Sequence, residues 1–255
     1  MGGKLTGRLD QRGFSIVEIV IFTSISLMVL AGVYDAYSTF FRGTVRAQTR
    51  ARTQDDARRV LEQTLRELRM AGYGLPKATN PAPLSPISAA STDSIGFLTN
   101  DGGPVTSLTA TATAGSTAMS VASTSGFQVN DTIFVADQAT YHAATITAAG
   151  PSMTILPAVP VDFAAGATVT RQPRQITYSY AGGILYRDAG TGAGAQPWLA
   201  DLGSLTFSYF DGSNNPVVMP GGDLTTIRRV VVQMTTGGSV QGPAYTVQSE
   251  TWIRN

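Results

Sequence analysis

The sequence predicts an α+β protein. A long N-terminal α-helix, with a membrane half and an amphipathic half, packs on an antiparallel β-sheet head that carries a β-rich insertion. Three observations predict this. Residues 14–75 contain no proline, and all 13 prolines lie at or beyond Pro76. Of the 18 basic residues, 11 fall within the first 75, and no Lys or Arg occurs between Lys77 and Arg171. From Ser94 onward, short β-type runs alternate with glycine-rich turns. The chain therefore divides near residue 75 into two physical regimes.

Composition bounds the function. The 255 residues suffice for one large domain or two small ones with a real core. A hydrophobic content of 43% argues against a wholly disordered polymer. The formal charge of +1 gives no whole-protein electrostatic grip on nucleic acid. There is no cysteine, which excludes disulfides, Cys-ligated zinc, iron–sulfur clusters and thiol nucleophiles. His142 is the single histidine, so a His-rich metal site cannot be built within one chain.

The first element is a short, polar, basic leader, residues 1–13, with Lys4, Arg8 and Arg12 against Asp10. Residues 14–34 follow as an apolar run whose only charge is Glu18. At about 1.5 Å per residue it spans roughly 30 Å, the thickness of a bilayer core. The basic flank predicts a cytoplasmic N-terminus, although Arg42, Arg46, Arg50 and Arg52 beyond the run weaken that orientation signal. A secretory signal peptide fits less well, because the run is long and no small-x-small cleavage site follows it. A carboxylate inside a membrane helix is costly and is usually paired or functional. Glu18 either reaches interfacial water or needs a cation. Cleavage after Gly13 would supply one, the new ammonium of Phe14, in the same helix or in a neighbouring subunit.

The string Gly13-Phe14-Ser15-Ile16-Val17-Glu18, after a basic leader and before an apolar run, resembles the type IV prepilin cleavage and methylation motif. The resemblance implies that a prepilin peptidase cuts after Gly13 and methylates the Phe14 amine. It also implies that Glu18 serves subunit docking. Ser15 stands where that family often has threonine.

The helix pattern continues to about Tyr73, making a helical element over residues 14–74, with Gly32 and Gly43 as soft points. Leu61, Leu65 and Leu68, with Ala57, Thr64 and Ala71 beside them, form an apolar stripe for docking onto a sheet. Gly72, Gly74 and Pro76 supply the stop. Eight arginines between Arg42 and Arg69 face four acids. They read as a solvated helix face with contacts to lipid phosphates or acidic neighbours, and nucleic acid is not firmly indicated.

Residues 75–104 read as a proline-marked linker, containing Pro76, Pro81, Pro83 and Pro86, and a first head strand at Ser94–Thr99. Residues 105–171 read as a β-rich insertion, charge-poor and rich in Ala, Thr, Ser and Gly. Its expected strands are Ala118–Val121, Thr132–Ala136, Ala143–Thr147, Met153–Leu156 and Thr168–Arg171. Its first part, residues 109–126, also admits a low-complexity disordered reading. Residues 172–255 read as a pilin-like β-sheet head with strands at Arg174–Tyr180, Gly183–Arg187, Ser204–Phe210, Arg228–Thr235 and Tyr245–Trp252. Gly182-Gly183 marks a hairpin between the first two of these.

Leu68-Arg69-Met70-Ala71-Gly72-Tyr73, Gln196-Pro197-Trp198-Leu199-Ala200-Asp201 and the ending Trp252-Ile253-Arg254-Asn255 resemble PilW-type minor pilins and the related J-type pseudopilins of type II secretion. The resemblance implies a structural subunit that helps initiate or cap a pilus. The partners it implies are the prepilin peptidase, other minor and major pilins, and inner-membrane lipid before assembly. It implies a single-pass location with a periplasmic head, then a pilus or pseudopilus. Alternatives are a tip adhesin whose residues 105–170 bind a surface ligand, and a J-type pseudopilin.

Chemistry elsewhere is sparse. His142 has no nucleophile pattern or second ligand nearby in sequence. Asp211-Gly212-Ser213-Asn214-Asn215 starts like a calcium loop, but its twelfth position is Gly222, so it reads as a turn. No catalytic, cofactor-binding or metal residue is predicted, and the chain is not read as an enzyme.

Overall fold

The computed structural model describes residues 15–78, 80–82, 84–237 and 244–253. The leader 1–13, with Gly13 and then Phe14, lies outside the described residues, as do Pro83 and Arg254-Asn255. The protein is α+β, one long N-terminal helix followed by antiparallel sheets. Two compact units divide it, Met1–Arg52 and Thr53–Asn255.

Helix α1 runs Ile16–Arg69. It stops short of the residue-74 end that the sequence suggests. Gly72 takes φ 84° and donates its N–H to the Leu98 carbonyl at 2.8 Å, leaving the helical ladder for a strand. Gly74 takes φ 76°, and a Cβ there would come within 2.4 Å of Asn100 Cβ. Both the dihedral and the crowding require glycine.

The strands, in chain order, are β1 (Ile87–Ala90), β2 (Ser94–Thr99), β3 (Val105–Ser107), β4 (Ala118–Met119), β5 (Thr132–Ala136), β6 (Tyr141–Ala149), β7 (Met153–Leu156) and β8 (Thr168–Arg171). Then come β9 (Arg174–Ala181), β10 (Ile184–Asp188), β11 (Gln196–Leu199), β12 (Leu202–Phe210), β13 (Pro216–Val217), β14 (Arg229–Thr236) and β15 (Thr246–Trp252). Strand β1 lies inside the segment read as linker and pairs with β2, so Ser94–Thr99 is the second head strand rather than the first.

Two sheets and the C-terminal part of α1 share one core. The order in the first sheet is β1-β2-β9-β10-β11, and in the second β13-β12-β14-β15. Ala57, Leu61, Thr64, Leu65 and Leu68 recur on one helix face and are all buried. The apolar ones share a core with Phe97 and Tyr178 of the first sheet and Phe207 and Val232 of the second. Cross-strand partners Leu205↔Met234, Phe207↔Val232 and Tyr209↔Val230 are buried together, which fixes the β12–β14 register, because a one-residue slip would turn them outward. Gly182 and Gly183, at φ 59° and 82°, make the two-residue turn between β9 and β10, where both central positions need positive φ.

The chain between β2 and β9, neighbours in the first sheet, builds a third sheet, β3-β8-β5-β6-β7-β4. Its ends meet. The Thr109 N–H donates to the Ser120 carbonyl and the Ala122 N–H to the Ser107 carbonyl, both at 2.9 Å, around a Leu108↔Val121 bridge. The hydrogen-bonded ring therefore closes into a six-stranded barrel, which leaves no free edge for pairing with another chain. Phe163, Ile133, Ile146 and Ile155 fill it. Ala112, Met119 and Val121 from the alanine/threonine-rich run are buried in the same core, which gives that run a packed structure despite its simple composition. Entry strand β3 and exit strand β8 pair directly, with Val105 opposite Thr170. A second attachment comes from the linker. The Asn80 carbonyl accepts from Tyr141 N–H at 3.0 Å, and Ala78 packs with Phe134 and Tyr141.

Candidate functional site

Glu18 sits in the first turn of α1. There the unpaired N–H groups and the helix dipole favour a negative charge. Its side chain is exposed and has no partner among the described residues. The predicted scissile pair, Gly13 and Phe14, lies outside the described residues, so of the three expected site residues only Glu18 is described.

Around Glu18 the helix presents large apolar side chains in every direction. Ile16 is 81% and Met28 80% exposed, and Val20, Phe22 and Leu27 between them in sequence are exposed as well. A helix apolar all round is stable only inside a larger apolar body, whether lipid or other helices. Two of its hydroxyls bond back to the helix. Thr23 Oγ1 donates to the Ile19 carbonyl at 2.9 Å and Ser24 Oγ to the Val20 carbonyl at 2.7 Å. Among the described residues this is the one helix long and apolar enough to cross a membrane, and it lies near the N-terminus.

At its other end α1 is held by a site that sequence reasoning missed. Glu67 Oε2 accepts from Tyr178 OH at 2.7 Å and from Arg187 Nε at 3.0 Å, while Oε1 accepts from Arg187 Nη2 at 2.9 Å. The guanidinium carbon of Arg187 lies 5.2 Å from the Trp198 ring centroid. Tyr178 stacks on Phe97 with centroids 6.4 Å apart. Burial, with the Glu67 carboxylate beside it, pushes the Tyr178 phenol well above its ordinary range. The bidentate geometry orients the helix on the first sheet. The residues are 111 and 120 positions apart in the chain, so no spacing rule connects them. Further along, Arg58 donates to Tyr245 OH and its guanidinium lies 5.4 Å from that ring's centroid, tying the helix to the segment before β15.

The remaining expected positions are structural. His142, on β6, has Nε2 3.2 Å from the Pro157 carbonyl. Asp211 Oδ1 accepts from the Ser213 and Asn215 backbone N–H groups, each at 2.8 Å, and Oδ2 from the Asn215 amide. These bonds, the Asn215 side chain foremost, lower the Asp211 pKa. The carboxylate is turned into its own loop, which is an Asx-type turn. Among the described residues no group of three or more His, Cys, Asp or Glu side chains converges as a metal site.

No family model, curated protein or solved structure matches the chain.

Proposed function

We propose that the protein is a minor type IV pilin, a membrane-anchored structural subunit that helps initiate or cap a pilus. The supporting observation is the helix Ile16–Arg69, apolar and uncovered around a lone first-turn carboxylate, and stitched into a folded β head at its other end. In this reading a prepilin peptidase cuts after Gly13 and the Phe14 amine is methylated. The apolar helix waits in the inner membrane with the head on the periplasmic side. It then packs with the helices of major and minor pilins. Glu18 pairs with a neighbour's amine, and it sets axial register because an unpaired carboxylate among apolar side chains is costly. A barrel-bearing head is bulky for a repeating shaft, which favours the tip or the initiation complex. A J-type pseudopilin would use the same helix and the same carboxylate.

Glu18→Ala should leave cleavage intact and abolish co-purification with other pilins. Unchanged association would contradict the docking role.

The closed barrel favours a second role alongside the first, as a binding module for a surface ligand. It has its own core and enters and leaves through paired strands. Replacing residues 105–171 by a short glycine-serine turn should keep piliation and abolish adhesion. Loss of piliation would assign the barrel to assembly instead.

A further inference from the structure

We propose that residues 34–52 of α1 form a collar that binds acidic phospholipid headgroups. The inference rests on the reading that the helix before it spans a membrane, and it adds the lipid class.

The first observation is an aromatic girdle where the apolar run ends. Tyr34 is 73% and Phe40 75% exposed, with Tyr37 and Phe41 exposed beside them. Tyr37 and Phe41 stack with centroids 6.1 Å apart. Amphipathic and aromatic rings concentrate at the headgroup level of a bilayer. The second observation is the charge that follows. Arg42, Arg46, Arg50 and Arg52 occur with no acid between Asp35 and Asp55. Arg42, Arg46 and Arg52 are exposed, and none has a carboxylate partner among the described residues.

Helical spacing sorts these residues into arcs. At about 100° per residue, Tyr34, Tyr37, Phe41 and Val45 share one arc and positions 42, 46 and 50 fill the next, while Phe40 stands apart from both and Arg52 returns to the Tyr34 arc. The arginine row does not stabilise the helix itself, because like charges at i,i+4 repel. An anion from outside the helix would relieve that repulsion. Arg42 lies about 12 Å and Arg46 about 18 Å along the axis from Tyr34. Their long apolar stems let the guanidinium groups turn back toward the phosphate layer. Guanidinium also suits phosphate by geometry, since two parallel N–H donors meet two oxygens. Continuity with the apolar run selects a lipid phosphate over a soluble one.

The test uses the full-length protein, as wild type and as Arg42→Gln/Arg46→Gln/Arg50→Gln/Arg52→Gln. Each is reconstituted into phosphatidylcholine vesicles with and without phosphatidylglycerol, then extracted with its lipid shell in polymer-bounded discs for lipid mass spectrometry. Both proteins should resist alkaline extraction from neutral vesicles. The wild-type shell should be enriched in phosphatidylglycerol, with enrichment falling as salt rises and unchanged by added inorganic phosphate at constant ionic strength. Each arginine close to an acidic surface contributes about fivefold to association, so the variant should lose most of the enrichment. Equal enrichment in the two proteins would overturn the collar. So would a variant that keeps its lipid shell and loses partner stalks, which would assign the arginines to acidic neighbours. Displacement by inorganic phosphate would also overturn it, in favour of a soluble-anion site. Failure of the wild type to insert into neutral vesicles would overturn the spanning reading, and the collar with it.

Discussion

Glu67 holds two donors from the first sheet, and its carboxylate is mostly removed from water, as is the Arg187 guanidinium. Removing one member of such a pair strands the other. Glu67→Ala should therefore cost about 2–4 kcal/mol in urea unfolding of the head. Arg187→Leu, which leaves Glu67 the Tyr178 bond, should cost less. Tyr178 adds a pH signature. Below its ordinary value of 10.0 the phenol is protonated in both folded and unfolded chains. Above it the unfolded chain releases the proton and the folded one holds it, so stability should fall as pH rises past 10. Tyr178→Phe should lower stability at neutral pH by about 1 kcal/mol and make the alkaline decline shallower. An identical decline in both proteins, by chemical denaturation across alkaline pH, would contradict this. Glu18 was legible in the sequence because a charge within an apolar run is anomalous by itself. Glu67 was not, since one acid among several on a helix acquires meaning only when β9 and β10 arrive against it.

At the scale of elements, the leucine stripe was legible because period and burial agree. Leu61, Leu65 and Leu68 recur at helical spacing and are buried. Leu68→Ala should cost about 2–5 kcal/mol, read by denaturant unfolding, with a smaller effect from Arg69→Ala on the exposed face. Strands β2, β5, β7 and β8 occur at the residues their alternation and flanking turns suggested. Strands β1, β3, β11 and β13 were not read from the sequence. They have two to four residues each, and β11 and β13 each contain a proline, which argues against a strand. Pairing defines them: Val105 faces Thr170 far along the chain, while Ile87, Leu199 and Val217 face Phe97, Leu185 and Tyr209 nearby. Barrel closure was equally hidden, because it depends on a bridge between Leu108 and Val121 in a run of small residues.

Across the whole molecule, the charge asymmetry follows the division of labour. Arginines gather on the helix, and the barrel contains almost no cation, so its stability rests on a filled interior and a closed ring of hydrogen bonds. Because β3 and β8 are neighbours, the barrel can be removed without separating strands of the head. The variant lacking residues 105–171 should keep a cooperative unfolding transition and a protease-resistant head. Noncooperative unfolding would show that the barrel is part of one folding unit with both sheets. The α+β class and the membrane-length helix are structural facts. The filament role depends on a chemical event at the start of that helix. N-terminal sequencing and intact mass of the protein from its native membrane test that event most directly. A pilin role requires a mature chain beginning at N-methylated Phe14, and a mature chain that still begins at Met1 would contradict it.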